Sequence, residues 1–258
     1  MQTLDIDWGN TRLKWRVSDA QHICGEGASE HEDAALQDIA SRFPSVARTR
    51  VASVRKRGDC EVLESLINKC FTSNVEFAHS ASSTAGLINS YSCPDNMGVD
   101  RWCGMLAVRE NVRSHFVLVS LGTALTLDFV RADGHHVGGY IVPGLYRQIA
   151  MLTSQTGRVF VDGDIGERSK PVGLQPADNT SDAVVHGVMA GLLALITTSC
   201  EKFRRSVAGE QVVIVLTGGD AARFEPLLGD DSFQSKNTFN DVRMCQGLVL
   251  DGLRILLP

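Results

Sequence analysis

The sequence predicts an α/β protein made of two similar domains. Short apolar stretches typical of β-strands alternate with stretches that carry apolar residues at helical spacing. The segment LDIDWGNTRLKW near the start has the same form as VLVSLGTALTLDFV near the middle: an apolar run, a glycine turn and a second apolar run. The chain of 258 residues can hold two domains of about 100–150 residues. We predict these domains at 1–112 and 113–258.

The first half contains alternating strands and helices. Thr3 to Asp7 and Lys14 to Val17 are predicted strands joined across the turn WGNTR. The following predicted elements are the helix ALQDIASRF, the strand RVASV, the helix CEVLESLINKCF, the strand NVEFA and the helix DRWCGMLAVREN, which begins at Asp100. This order indicates a sheet covered by helices.

The second half repeats the pattern. Its predicted elements are the strands HFVLVS and LTLDFV, the glycine-rich strand HHVGGYIVPG, the long helix SDAVVHGVMAGLLALITTSCEKF, the buried strand QVVIVLTGGDA and the closing helix VRMCQGLVLDGLRILL. Thr180 or Ser181 is the predicted N-cap of the long helix. This helix is interrupted by His186 and by glycines, so we predict that it is buried and does not span a membrane.

The composition favours a small-molecule substrate. The net charge is −5, without a basic stripe or a run of like charge, so nucleic acid is not an expected partner. The start of the chain lacks the pattern of a signal peptide, and the seven cysteines are scattered without a C-x-x-C pair. We expect a cytoplasmic protein in a reducing compartment, with no membrane partner.

The two glycine turns suit phosphate binding. A glycine lets the backbone approach a ligand closely, and neighbouring N–H groups together with the hydroxyls of Thr11 and Thr123 can point at phosphate oxygens. Asp7, before the first turn, can hold a hydrated Mg²⁺. The alternative is two ordinary β-hairpins.

Two further motifs are candidate ligand contacts. The diglycine of LTGGDA ends a buried strand, where a nucleotide can lie against bare backbone, although such turns are common in α/β proteins. In GVDRW, Asp100 can accept a proton from a substrate hydroxyl, and Arg101 can pair with a carboxylate or phosphate. The alternative is that Asp100 caps the helix and Arg101 is a solvated charge.

In this order, the five motifs resemble those of the type III pantothenate kinases over nearly the whole chain. DIDWGNTRLKW resembles the first phosphate motif, GVDRW the catalytic motif, LGTALTLDFV the second phosphate motif, GGYIVPG the glycine-rich segment and LTGGDA the adenosine motif. The family belongs to the acetate and sugar kinase, Hsp70 and actin superfamily. The resemblance therefore implies two ribonuclease-H-like (actin-like ATPase) domains around a nucleotide cleft, and a homodimer that phosphorylates pantothenate with ATP in the first step of coenzyme A biosynthesis.

The resemblance also implies roles for individual residues. Asp100 would be the catalytic base. The implied ATP contacts are Asp7, Trp8, Gly9, Asn10, Thr11, Arg12, Leu13, Lys14 and Thr123, with Asp7 holding Mg²⁺ through water. The implied pantothenate contacts are Tyr91, Gly98, Val99, Asp100, Arg101 and Thr180, with Thr180 supplied by the other subunit of the dimer at the interface.

The second turn departs from the family. Its usual sequence begins with an aspartate that helps to bind potassium or ammonium, and Ser120 stands there in this chain. A neutral hydroxyl attracts a cation less than a carboxylate does. The substitution leaves three interpretations: an enzyme that works without the cation, one that binds it through other oxygens such as those of Asp128, or a protein that has lost activity.

Two other functions stay open at this stage. One is a kinase-like regulatory or accessory protein that keeps the fold without turnover. The departure from the family motif at Ser120 suggests this alternative. The other is an enzyme of the same fold acting on a different hydroxyl compound or hydrolysing a phosphate ester, because one fold hosts many reactions.

Overall fold

The computed structural model describes residues 1–20, 22–155, 174–229 and 241–258. The chain divides into two compact units, Met1–Asn111 with Gly247–Pro258 and Val112–Gln246. The first boundary lies within one residue of the predicted one. The C-terminal segment differs from the prediction, because it packs in the first unit and not in the second.

The first unit contains a five-stranded mixed sheet with helices on both faces. Its elements are β1 (Gln2–Trp8), β2 (Leu13–Asp19), β3 (His22–Ser29), α1 (Glu32–Arg42), β4 (Val46–Ser53), α2 (Arg57–Cys70), β5 (Asn74–Phe77), the short pair β6 (Ser83–Thr84) and β7 (Leu87–Ile88), a 3-10 turn (Pro94–Asn96) and α3 (Val99–Asn111). The strand order is β3-β2-β1-β4-β5. β1 runs antiparallel to β2 and parallel to β4.

The second unit repeats this architecture. Its elements are β8 (His115–Leu121), β9 (Ala124–Val130), β10 (His136–Pro143), α4 (Leu145–Gln155), α5 (Thr180–Ser206), β11 (Val212–Thr217), α6 (Ala221–Gly229) and β12 (Val242–Met244). The strand order β10-β9-β8-β11-β12 matches that of the first unit strand by strand. The predicted duplication of an α/β fold is therefore confirmed.

The closing segment corrects one predicted element. We predicted a single helix over VRMCQGLVLDGLRILL, but residues 242–244 form β12 and the helix α7 spans Leu248–Leu256. Gly247 separates them with a φ of 73°, a left-handed conformation that suits glycine. α7 packs closely on α3, and a side chain at Gly252 would overlap the backbone of Cys103. Helix contact this close explains why the end of the chain belongs to the first unit.

The long helix α5 forms the centre of the second core. Val185, Met189, Leu193 and Ile196 are almost fully buried among residues of β8, β9 and β11. Its length and apolar composition alone would also allow a membrane span, and 44% of its most apolar stretch is buried. Its N-cap is Asn179, whose side chain accepts the N–H of Asp182, so the prediction of a cap at Thr180 or Ser181 is wrong by one residue.

Candidate active site

The first glycine turn connects β1 and β2. Asp7 and Lys14 are directly paired across these antiparallel strands, and Lys14 Nζ lies 3.6 Å from Asp7 Oδ2. The Asp7 side chain is only 14% exposed. Burial raises the pKa of Asp7 to about 6; Lys14 acts against this rise and Asp100 adds to it. The turn therefore carries a mostly buried carboxylate next to a second carboxylate.

The other residues predicted around this turn differ in what they can offer a ligand. Trp8 and Leu13 are buried in the core of the first unit, so their backbones are the parts that a ligand can approach. Asn10, Thr11 and Arg12 are exposed, and Arg12 Nη2 lies 3.7 Å from Glu30 Oε1. The tip of the turn is thus polar and rests on an apolar base.

The motif GVDRW spans the start of α3. The helix starts at Val99, so Asp100 lies in its first turn and is not its N-cap. Asp100 Oδ1 accepts the N–H of Arg101 at 2.8 Å. A side chain at Gly98 would crowd this carboxylate. Glycine therefore leaves room for Asp100, while the helix fixes its backbone.

Arg101 joins the motif to Tyr91. Its guanidinium is nearly buried, donates to the Tyr91 hydroxyl at 3.0 Å and lies 5.8 Å from the centre of the Tyr91 ring. The structure therefore brings together Tyr91, Gly98, Asp100 and Arg101, which the sequence separates by up to ten positions.

A cavity of about 780 Å³ opens next to this cluster in the first unit. Gly98 and Val99 line one side. The other walls are formed by the ends of β4 and β5, by the residues that follow them and by the first turns of α2, including Ser53, Val54, Arg55, Cys60 and Ser80. Ligand sites in α/β sheets commonly lie outside the carboxyl ends of strands, as this cavity does. No local pattern points to Arg55, which comes 45 residues before Asp100 in the chain.

The second turn belongs to a compact group of glycine segments in the second unit. Gly144 donates its N–H to Thr123 at 3.0 Å, and Asp220 donates its N–H to the carbonyl of Leu121 at 3.1 Å. Side chains at Gly144 or Gly218 would overlap the backbone carbonyls of this turn. The glycine-rich segment, the second turn and LTGGDA therefore meet at one place and present bare backbone there.

Ser120 and Asp128 lie on the same face of this sheet but differ in their surroundings. Ser120 pairs with Thr126 beside the turn, and Asp128 is two residues further along β9. The Asp128 side chain is fully buried, and its Oδ1 lies 3.0 Å from His136 Nε2. Asp128 thus already contacts a buried histidine.

Thr180 is the exposed first residue of α5. It lines a groove of about 490 Å³ with Leu152, Val184, Gly187 and Val188. A neighbouring groove of about 620 Å³ between α4 and α5 is lined mainly by apolar residues, including Met151 and Leu195. Thr180 therefore lies at the edge of an apolar surface of the second unit.

The first turn is suited to a hydrated divalent cation. Among the described residues, no group of three histidine, cysteine or acidic side chains is placed to hold a metal ion. Mg²⁺ usually keeps several waters and takes one or two carboxylates together with substrate phosphates. Asp7, whose pKa is raised by burial and by Asp100, is a carboxylate that a cation would stabilise.

Solved structures place the chain in a class. MreB 5 of Spiroplasma citri, solved with AMPPNP, aligns with a TM-score of 0.51 at 11% identity, covering 99% of this chain and 96% of its own. A conserved Campylobacter jejuni protein assigned to the Baf family of transcriptional activators aligns with a TM-score of 0.59 at 18% identity, covering 98% and 96%. These likenesses show the fold. With the duplicated sheet and its glycine turns, they define an actin-like ATPase fold.

Sequence comparison identifies the family within this class. The model of the type III pantothenate kinase family matches residues 3–202. The type III pantothenate kinase of Cellvibrio japonicus is 36% identical over 98% of this chain and 95% of its own length. That of Pseudomonas putida (strain F1) is 33% identical over 99% and 98%. The chain belongs to the type III pantothenate kinase family. The kinase predicted from the motifs is confirmed, and the regulatory alternative is not favoured.

Proposed function

We propose that this kinase transfers the γ-phosphate of ATP to the primary hydroxyl of pantothenate, with Asp100 as the base that accepts the hydroxyl proton. The observation that supports this most strongly is the position of Asp100. It lies in the first turn of α3, beside the cavity that Gly98 and Val99 line, and close enough to Asp7 to raise the pKa of that carboxyl. The proposed base and the first glycine turn, which is proposed to bind phosphate, therefore lie close together in the first unit.

Phosphoryl transfer requires a protein mainly to position groups and to neutralise charge. In the proposal, the turn from Asp7 to Lys14 binds the ATP phosphates with its backbone N–H groups and with the Lys14 ammonium. Thr123 supplies a hydroxyl from the second turn. A Mg²⁺ ion held by Asp7 through water would neutralise phosphate charge. Asp100 keeps its place because the α3 backbone and the Arg101 N–H hold it.

Pantothenate carries a carboxylate at the end opposite to its primary hydroxyl. The proposed contacts are Tyr91, Gly98, Val99 and Arg101, of which Arg101 can pair with the carboxylate. Arg101 already uses one donor on the Tyr91 hydroxyl. Substitution of Arg101 or Tyr91 should therefore weaken pantothenate binding more than ATP binding.

We further propose a homodimer in which Thr180 of one subunit completes the pantothenate site of the other. Thr180 is exposed and lies beside the apolar grooves of α4 and α5. Met151 and Leu152 on this surface are 50% and 42% exposed, and an apolar surface of this kind favours a protein partner. A cytoplasmic location stays a prediction.

The cation site of the family is proposed to be weak or lost here. Ser120 offers one neutral oxygen, and Asp128 is buried against His136. We therefore expect the enzyme to work equally in sodium and potassium buffers. A Ser120→Asp variant should gain stimulation by potassium, and potassium stimulation of the unaltered enzyme would contradict this part of the proposal.

The test of the function is ADP release by the purified protein with ATP and Mg²⁺, with and without pantothenate, and mass analysis of the product. Asp100→Asn should lower turnover by about 10²–10⁴-fold. Asp59→Asn is the matched control, because Asp59 is an exposed acid in the first turn of α2. Folded protein that gives no pantothenate-dependent ADP would refute the proposed reaction.

A further inference from the structure

Arg55 follows β4 and is hydrogen-bonded to the first glycine turn. Its Nε donates to the carbonyl of Gly9 at 3.0 Å, and its Nη2 donates to the carbonyl of Asn10 at 3.3 Å. One planar guanidinium thus holds two successive peptide groups of the turn. A planar fork of donors is the property that distinguishes arginine from lysine in such a place.

The guanidinium is itself held by two side chains. It lies over the Trp8 ring, with Cζ 4.3 Å from the ring centre, and Nη2 is 3.4 Å from Glu32 Oε1. The same Glu32 oxygen accepts the Trp8 Nε1–H at 2.9 Å. Burial raises the pKa of Glu32, but the Trp8 hydrogen bond and Arg55 outweigh it, so the net shift is downward. Glu32 is therefore an anion that keeps Arg55 in place.

These contacts determine where the N–H groups of the turn point. In a trans peptide, the carbonyl and the following N–H point in opposite directions. Since the carbonyls of Gly9 and Asn10 point at Arg55, the N–H groups of Asn10 and Thr11 point away from it. Backbone N–H groups that share one direction are what an anion-binding turn requires.

We propose that Arg55 is a positioning residue for ATP: it orients the peptide groups of the first turn so that their N–H groups face the phosphates. The inference rests on the proposed role of this turn in binding ATP. Arg55 does not act through its charge on the phosphate in this account, although it also lines the cavity beside Gly98 and Val99.

Two variants separate positioning from direct attraction. In Arg55→Lys, the positive charge remains, but one ammonium cannot hold both carbonyls and also stack on Trp8. Positioning predicts that the KM for ATP rises about ten- to a hundredfold, from the loss of charge-assisted hydrogen bonds, while the KM for pantothenate stays within about twofold. A lysine variant with normal ATP kinetics would overturn the proposal.

Glu32→Gln gives predictions of opposite sign for the two accounts. If Arg55 attracted the phosphates directly, removal of a nearby negative charge would lower the KM for ATP. If Arg55 positions the turn, weakening its ion pair with Glu32 raises the KM for ATP by about two- to fivefold, the range of one partly exposed ion pair. A lower KM in Glu32→Gln would therefore overturn the positioning role.

Arg42→Ala is the matched control. Arg42 also lies over a tryptophan, with Cζ 5.5 Å from the centre of the Trp15 ring, and pairs with Asp38 at 3.1 Å, but it has no hydrogen bond to the turn. Its loss should change the urea midpoint to a similar degree as Arg55→Ala and leave the KM for ATP unaltered. Equal kinetic effects in the two variants would assign Arg55 a general structural role and overturn the proposal.

Calorimetric titration of each variant with Mg²⁺ and a non-hydrolysable ATP analogue, without pantothenate, keeps this test separate from the reaction. Weakening of analogue binding in Arg55→Lys by about tenfold or more supports the positioning role even if pantothenate is not the acceptor. Unchanged binding of the analogue would overturn the role while leaving the reaction itself to the ADP assay.

Discussion

Replacing Asp7 by asparagine should stabilise the folded protein at neutral pH while removing its proposed metal ligand. The Asp7 carboxylate is mostly buried, and burial raises its pKa from 3.8 to about 6, with Asp100 adding to the rise and Lys14 opposing it. Folding therefore favours the protonated form. At neutral pH the ionised group costs stability, and asparagine, which has nearly the same shape and no charge, avoids that cost.

The size of the effect follows from the pKa. A rise of about two pKa units corresponds to about 3 kcal/mol. This value already includes the attraction of Lys14, which lowers the pKa of Asp7, so no separate correction for the ion pair applies. The net gain in the free energy of unfolding is therefore about 3 kcal/mol at pH 7.5.

The stability difference between Asp7→Asn and the unaltered protein should grow as the pH rises. A group with a raised folded-state pKa contributes stability that is complete below pH 3.8 and is lost as the pH rises through about 6. The advantage of Asp7→Asn should thus be full at pH 7.5, about half as large at pH 5, and absent below the unfolded-state pKa.

Urea unfolding of both proteins at pH 5 and 7.5, without nucleotide or metal, measures this difference. Asp19→Asn serves as a control, because Asp19 is 53% exposed and pairs with the N-terminal amine. Addition of Mg²⁺ and ATP should stabilise the unaltered protein and not Asp7→Asn. A variant that is less stable at pH 7.5 than the unaltered protein, or a difference independent of pH, would refute the reasoning about Asp7.

Three further outcomes are expected. The value of kcat/KM for ATP should fall as the pH drops below about 6, because protonated Asp7 loses its negative charge; a rate that is flat between pH 5 and 7.5 would exclude Asp7 as that ligand. Gly252→Ala should lower the urea-derived free energy of unfolding by about 1–3 kcal/mol through overlap with the α3 backbone, whereas Gly58→Ala, with no atom within 4 Å, should not lower it. Arg50→Met should cost about 3–5 kcal/mol, because it leaves Asp5 buried without its bidentate partner; Arg50→Met combined with Asp5→Leu should recover most of this loss in the same unfolding assay.

Periodicity and turn chemistry predicted most of the fold. Strands such as β8 and β11 are apolar along their length, and helices such as α2 carry regular apolar spacing. β3 escaped prediction because it is an edge strand whose residues are mostly exposed, so it lacks the alternation that a half-buried strand shows. α6 contains Pro226, which local patterns treat as a helix breaker. β12 has three residues, too few for any period.

The candidate site also contains residues that motifs predict and residues that they do not. Asp7 and Asp100 stand in recognisable motifs, and the structure brings them within electrostatic reach of each other. Arg55 has no motif, because its role depends on backbone carbonyls about 45 positions earlier that only the folded sheet brings near. Local patterns describe what a segment does with its neighbours in sequence. They carry no information on a side chain that supports a distant turn.

The membership of α7 in the first unit has a consequence for how the chain is made. A ribosome must release the whole second unit before residues 247–258 emerge. Until then, Ala52, Ala78, Val99 and Cys103 lack the helix that covers them. The strands of the first unit are thus synthesised first, but this part of its core closes only after the second unit has been made. Asp100, on the helix that α7 packs against, therefore reaches its final environment only after residues 247–258 have been synthesised.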